Sequence, residues 1–302
     1  MQNSDIIPEI SFSLIENGDS EAIEILNKAL KNHGFFSVIN HGLSKDLINR
    51  CYDSSKNFFD LDYAVKNCYS SVGSKGARGY TPKGIETAVG ESVPDQKEFW
   101  HHGPIIDETF DKNIPENLII KEISQFNKNF DELYTELHSI GTKVLSVIAQ
   151  VIGLKTDYFK PWVEKGNSLL RSIHYPPVKN SNNLHRARAH EDINLITLLI
   201  GAEEGGLEIL NKDGNWLKVQ PSSDAIVCNI GDMMQLVTDK ELKSTTHRVI
   251  QDKDKESKSR YSIPFFLHPA PSINLKSVFR DEDEGILANE FLDQRLKEIK
   301  LY

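Results

Sequence analysis

Only three cysteines stand in the chain, Cys51, Cys68 and Cys228, and no two of them form a CxxC pair. An odd, scattered set excludes a disulfide scaffold and a cysteine-built zinc site, and it points to a reduced, cytoplasmic setting. No apolar run is long enough to span a bilayer, so no membrane partner is expected. Residues Met1 to Asp5 carry neither basic charge nor an apolar stretch, so no secretory signal is expected. A long basic run is also missing, and the net charge is -9. Nucleic acid is therefore not expected as the main partner, although local arginines can still hold a small anion. A GxSxG nucleophile elbow, a P-loop and a dinucleotide fingerprint are all absent.

What is present is a globular composition. The 302 residues are 39% hydrophobic and 26% charged, enough apolar material for one large core. One folding unit over 1–302 is expected. Within it lie an N-terminal region at 1–110, a central helical segment at 111–165, a strand-rich core at 166–275 and a C-terminal helical region at 276–302.

The local patterns divide the same way. Asp19 or Ser20 can cap a helix that carries Ile23, Leu26 and Leu30 on one face and stops near Gly34. A buried strand is expected at 35–39 and a second helix at 45–59. Residues 70–104, rich in Gly, Ser and Pro, read as a long irregular connection. Apolar residues from Ile123 to Val144 recur by threes and fours. They predict a helix over 118–152 that lies on a sheet rather than in a coiled coil, because the pattern ends at Gly153.

From Ser168 the texture changes to short apolar runs between turn signals. Strands are expected at 168–175, 184–190, 194–200, 206–210, 216–219, 225–230, 233–237, 244–250 and 260–268. Many short strands at this spacing predict a mainly β protein with flanking helices, built on a double-sheet jelly roll or similar barrel. A closing helix is expected at 284–300, as a lid or as a contact surface, and the oligomeric state stays open.

Three polar groups recur in order along this half: His190-Glu191-Asp192, then His247, then Arg260-Tyr261-Ser262. Two histidines and one carboxylate can occupy one face of a ferrous ion and leave the other open. On a strand, His190 and Asp192 share a parity, and so do Arg186 and Arg188, which should then face the same cavity. Arg260 and Ser262, two residues apart, can together hold a carboxylate.

Several further stretches carry a resemblance. They are His33-Gly34-Phe35-Phe36 through Asn40-His41-Gly42, Arg78-Gly79-Tyr80, Asp95-Gln96-Lys97-Glu98-Phe99, Leu170 through Pro177, and Asn229-Ile230-Gly231-Asp232. In this order they resemble the Fe(II)- and 2-oxoglutarate-dependent oxygenase superfamily, in the branch related to isopenicillin N synthase. The resemblance implies a double-stranded β-helix, a cupin-like jelly roll. It implies Fe(II) on His190, Asp192 and His247, and 2-oxoglutarate on Arg260 and Ser262 with Tyr175 assisting. O2 would be the third co-reactant, with succinate and carbon dioxide as products.

The resemblance also implies a substrate-binding role for Arg78. With Arg186 and Arg188, it predicts a small anionic, amino-acid-derived substrate that is hydroxylated, desaturated or closed into a ring, as in kainoid-type synthases. Two other readings stand beside this one. The first is an isopenicillin N synthase-like oxidase whose substrate carboxylate takes the arginine. The second is a non-catalytic binding or sensing protein on the same fold. The polar stretch 252–258 is longer than the family pattern and is expected in solvent.

Overall fold

A computed structural model describes residues 7–74, 76–87, 94–177, 185–200, 205–251 and 258–299. The expected polar tip lies outside these except for Lys258. The N-terminal part contains β1 (Glu9–Ser11), α1 (Phe12–Glu16), α2 (Ser20–Asn32), β2 (Phe35–Ile39), α3 (Lys45–Phe59), α4 (Tyr63–Asn67), β3 (Gly79–Thr81) and β4 (Glu98–His102). Then come α5 (Phe126–Val151) and α6 (Lys160–Val163). The strand-rich part holds β5 (Leu169–Tyr175), β6 (His185–His190), β7 (Ile196–Ile200), β8 (Leu207–Leu210), β9 (Trp216–Lys218), β10 (Ile226–Ile230), α7 (Asp232–Val237), β11 (His247–Ile250) and β12 (Arg260–Leu267). It closes with β13 (Asn274–Leu275), β14 (Ile286–Leu287) and α8 (Ala288–Glu298).

Two sheets face each other. The larger has the order β1-β2-β10-β7-β12-β5-β4-β3, and the smaller has β6-β11-β8-β9. All pairings in both are antiparallel except β1 with β2. Most strands of the larger sheet are buried on both faces. On β12, Ile263, Phe265 and Leu267 point to the helices, whereas Ser262, Pro264 and Phe266 point between the sheets. This is the mainly β jelly roll with flanking helices that the spacing of short strands predicts.

Helix α5 covers the outer face of the larger sheet, on β4, β5, β7 and β12. Gly141 permits the close approach, since a Cβ there would lie 3.0 Å from a Leu267 methyl and 3.3 Å from a Leu198 methyl. The helix begins at Phe126, later than expected. Gln125 adopts φ 65°, and the Asn127 side chain bonds the backbone of Leu118 and Ile120, holding that stretch out of the helix. Helix α2 starts where its sequence predicts, with the Asp19 carboxylate accepting the Ala22 N–H at 2.9 Å.

Two expectations on local structure are corrected. Residues 70–104 are not all irregular, because β3 and β4 extend the larger sheet. All five residues of β4 are buried, so it shows no alternation of polar and apolar positions to read. Residues 233–237 form helix α7, not a strand. Met233, Met234 and Val237 go inward while Gln235 and Leu236 stay at the surface, a helical spacing that five residues with a single polar one cannot distinguish from a strand. Among the described residues, no helix is long and apolar enough to cross a membrane.

Phe58 is fully buried and meets Trp100, Phe126 and Tyr80 with ring centroids 5.1, 5.7 and 5.8 Å away. It joins α3 to α5 and to the sheet. Phe58→Ala should cost about 3–5 kcal/mol in urea unfolding. A loss below about 1 kcal/mol would show that this aromatic cluster does not hold the helices to the sheet.

Candidate active site

The two sheets enclose a cavity of about 180 Å³. Strand β5 contributes Leu169, Arg171, Ile173 and Tyr175 to its wall, and β12 contributes Arg260, Ser262, Pro264 and Phe266. Strands β6 and β11 add Ala187, His190, His247 and Val249 from the opposite side.

His190 stands across from His247 in the β6–β11 pairing, with imidazole centroids 4.4 Å apart. Asp192 follows β6 at once, and its Oδ1 lies 3.7 Å from His247 Nε2. One donor atom from each of the three side chains falls within 4.8 Å of the others. No other cluster of three such residues comes this close among the described residues.

The atoms that would not bind a metal are already engaged. His190 Nδ1 meets the Arg188 carbonyl at 2.7 Å, and His247 Nδ1 meets the Thr245 carbonyl at 3.1 Å. Only a protonated nitrogen can donate to a carbonyl, so these bonds place a proton on Nδ1 and turn Nε2, bare in the neutral ring, toward the metal position. Asp192 Oδ2 accepts from the Thr197 hydroxyl at 2.5 Å and from the Asn229 amide at 2.8 Å, which leaves Oδ1. The Asn194 amide in turn donates to Thr197 Oγ1 at 2.8 Å. Two imidazole nitrogens and one carboxylate oxygen, converging from one side, fit Fe(II) with open positions.

Charge favours the same state. Burial, with His247 alongside, pushes the His190 imidazole down to about 4 despite the Asp192 carboxylate. Burial alone would raise the Asp192 carboxyl, but the two histidines and the bonds from Asn229 and Thr197 hold it below its ordinary value. Near neutral pH His190 is unprotonated and Asp192 ionised, the forms that a metal requires.

Arg260 pairs in register with Tyr175, and its guanidinium lies 5.1 Å from that ring's centroid. Ser262 follows on the same face, and all three are buried. At the other end of β12, Phe266 stands opposite Thr197, the residue that holds Asp192. The metal donors and the Arg260 end therefore occupy opposite ends of one cavity face.

None of the three arginines expected at the substrate lines the cavity. Arg186 is buried and bonds the Gln251 side chain and, at 2.7 Å, the Lys258 carbonyl. Arg188 is displaced by bulges in β6. His247 pairs with His190 but Val249 pairs with Ala187, so one extra residue breaks the alternation and Ala187 takes the inward place. Arg78 is buried behind the wall, where it donates to the Ala77 carbonyl at 2.7 Å and to Asn167 Oδ1 at 3.1 Å.

Besides Arg260, the cavity is lined by Arg171, which the sequence did not single out. It donates to His101 Nε2 at 2.6 Å and pairs with Glu86 at 3.1 Å, between the rings of Phe99 and Phe266. Lys97 lies beside it, paired with Glu86 at 2.6 Å and Asp95 at 2.8 Å. Burial would raise the Glu86 carboxyl, yet Arg171 and Lys97 hold it well below the usual carboxylate range. Glu98, on the other face of β4, is satisfied separately by Lys66, Tyr80 and His174.

Helix α8 closes the cavity with Leu292 and Leu296, and Ile299 follows them. Arg295 ties the helix to Asp232 at 2.6 Å, and the Ile299 carbonyl accepts the Thr87 N–H at 3.1 Å. The Asp232 N–H bonds the Asp192 carbonyl at 2.7 Å, so the cover is anchored to the turn beside the donors.

Known proteins agree with this geometry. Residues 166–269 match the family described as the 2OG-Fe(II) oxygenase superfamily, and residues 7–122 match the non-haem dioxygenase N-terminal region named for morphine synthesis. A 2-oxoglutarate-dependent dioxygenase of Didymella fabae is 31% identical over 293 residues, covering 89% of this chain and 87% of that protein. A 2OG-Fe(II) oxygenase family protein from Caulobacter crescentus superposes with TM-score 0.87 at 41% identity, covering 97% of this chain and 99% of that one. A full-length Neurospora crassa protein solved in complex with alpha-KG superposes with TM-score 0.85 at 26% identity, covering 98% of both chains. The chain belongs to the 2-oxoglutarate- and Fe(II)-dependent oxygenase superfamily, and it is an oxidoreductase that uses Fe(II), 2-oxoglutarate and O2.

If Asn229 and Thr197 aim Asp192, removing one should loosen the metal without unfolding the protein. Asn229→Ala should weaken Fe(II) binding about 10–100-fold in an anaerobic equilibrium titration. Unchanged affinity would mean that Asp192 does not need this support.

Proposed function

We propose that the enzyme oxidises a C–H bond of a small molecule, with His190, Asp192 and His247 holding Fe(II). Arg260, Ser262 and Tyr175 hold the distal carboxylate of 2-oxoglutarate. The observation that carries this reading is the donor set itself: every non-ligating atom of the three side chains is bonded to protein, and the bare atoms converge. When bound, the metal and its cosubstrate supply oxidative decarboxylation, giving succinate and carbon dioxide while a C–H bond of the substrate is oxidised.

The protein's own part is placement. Arg260 and Ser262 fix one end of the cosubstrate through charge-assisted hydrogen bonds, and Tyr175 braces the guanidinium. The opposite end then meets the metal donors. Leu292 and Leu296 of α8 shut out water above them, which protects a reactive centre from side reactions. Hydroxylation, desaturation and ring closure are three outcomes that this geometry serves equally.

A complete donor set supports catalysis over a purely binding role. The Neurospora crassa complex with alpha-KG supports 2-oxoglutarate, rather than a substrate carboxylate, at Arg260. The amino-acid-derived, anionic substrate expected from Arg78, Arg186 and Arg188 loses its footing with those residues outside the cavity. The Neurospora protein has also been captured with alpha-KG and thymine, which supports a small-molecule substrate here. Three free cysteines, two of them buried, support a cytoplasmic setting.

Anaerobic Fe(II)-loaded protein titrated with 2-oxoglutarate should develop the visible charge-transfer band of the chelate. Arg260→Ala should weaken 2-oxoglutarate binding about 100-fold. Iron binding with no band, or an Arg260→Ala titration that matches the wild type, would overturn the cosubstrate assignment.

A further inference from the structure

At the end of the cavity nearest the metal donors, the lining charges around Arg171 are balanced before any substrate arrives, with Arg78 behind the wall. Arg171 is neutralised by Glu86, and Lys97 by Glu86 and Asp95, so two cations face two carboxylates. His101 adds no charge. Its Nδ1 meets the Gly76 carbonyl at 2.6 Å and its Nε2 accepts from Arg171 at 2.6 Å, so both nitrogens are committed as in a neutral ring. A substrate carboxylate placed here would stand beside Glu86 with both lining cations, Arg171 and Lys97, already paired, and a poorly compensated charge in a closed site is costly.

Hydrogen-bonding capacity is nonetheless left over, and most of it donates. Arg171 uses Nε and Nη1, while Nη2 bonds no described residue. Asn167 accepts at Oδ1 from Arg78, and a guanidinium has only donors to give. The Asn167 amide is therefore turned with its NH2 group away from Arg78, and the residue lines the cavity. Arg78 is held in that place by close packing, since a Cβ on Gly103 would lie 2.1 Å from its guanidinium.

His268 completes the group. It is 6% exposed, lines the cavity, and neither ring nitrogen bonds a described residue. Its backbone N–H bonds Ser168 Oγ at 3.1 Å and the Asn167 N–H bonds the Pro269 carbonyl at 3.3 Å, which brings Asn167 and His268 side by side. The wall facing them, Leu292 and Leu296, is apolar.

We propose that the substrate is an uncharged molecule bearing carbonyl oxygens, such as an amide, lactam or imide, bound at this end by Asn167, Arg171 and His268. Arg78 is the positioning residue that sets the Asn167 amide. The proposal rests on the oxygenase reading above and gives that reading its substrate class.

The test uses anaerobic protein loaded with Fe(II) and 2-oxoglutarate, with binding read by calorimetry. The probes come in pairs that differ by a carboxylate: uracil against orotate, and 2-pyrrolidone against 5-oxoproline. At least one neutral probe should bind, and about tenfold more tightly than its carboxylate partner. Asn167→Asp, which replaces the NH2 donor by an acceptor, should weaken neutral binding by about the same factor. Glu86→Gln, which frees the charge on Arg171, should narrow or reverse the preference.

Tighter binding of the carboxylates by the wild type, or no binding of either neutral probe, would overturn the proposal. So would an Asn167→Asp variant that binds the neutral probes as the wild type does. The chelate band is recorded in every sample. Its absence from the wild type would count against the cosubstrate assignment alone, whereas the probe ranking judges the substrate class.

Discussion

The second oxygen of the Asp192 carboxylate is the point on which the site depends. It is shared by the Thr197 hydroxyl and the Asn229 amide, from neighbouring strands β7 and β10. Asp192 itself follows β6, in the smaller sheet. This one carboxylate therefore joins the two sheets and aims its free oxygen at the two imidazoles. The same residue's carbonyl caps Asp232, whose carboxylate holds Arg295 of the covering helix. Metal donors, sheet contact and cavity cover are thus tied together by bonds that a slip in register would break.

The cavity has two different ends because the strands run through it antiparallel. Arg260 and Tyr175 sit together at one end of the β5–β12 pair, and Asn167 and His268 lie just past the other. Arg171, four residues from Tyr175, is about 13 Å along the strand from it. Both arginines lie against aromatic rings, Arg260 over Tyr175 and Arg171 between Phe99 and Phe266, where it also pairs with Glu86. Two arginines thus stand on one cavity face, one at each end of β5.

Much of this was legible in the sequence, for physical reasons. The residues at 190, 192 and 247 read as metal donors only in company with one another and with Arg260 and Ser262, since each alone fits an ordinary strand, and the structure brings the three together. Strands β7 and β12 read well because each is largely apolar and bounded by turn signals. Helix α7 did not, because five residues with a single polar one fit both periods. Strand β4 did not, because burial on both faces erases the alternation. Arg188 was turned the wrong way by the assumption of a regular strand, which the β6 bulges break. Arg171 shared the strand parity of Tyr175, the one signal that it faces the cavity. Its neighbours Ser172 and His174 are ordinary strand residues, and its partner Glu86 is distant in sequence. Only folding shows that it pairs with Glu86 at the cavity while Arg78 stands behind the wall.

The most direct test is a crystal structure of the protein with Mn(II) and 2-oxoglutarate, using anomalous scattering to find the metal. The metal should lie on His190 Nε2, Asp192 Oδ1 and His247 Nε2, with the distal carboxylate of 2-oxoglutarate against Arg260 and Ser262. A metal bound elsewhere, or that carboxylate seated on Arg171, would contradict the account.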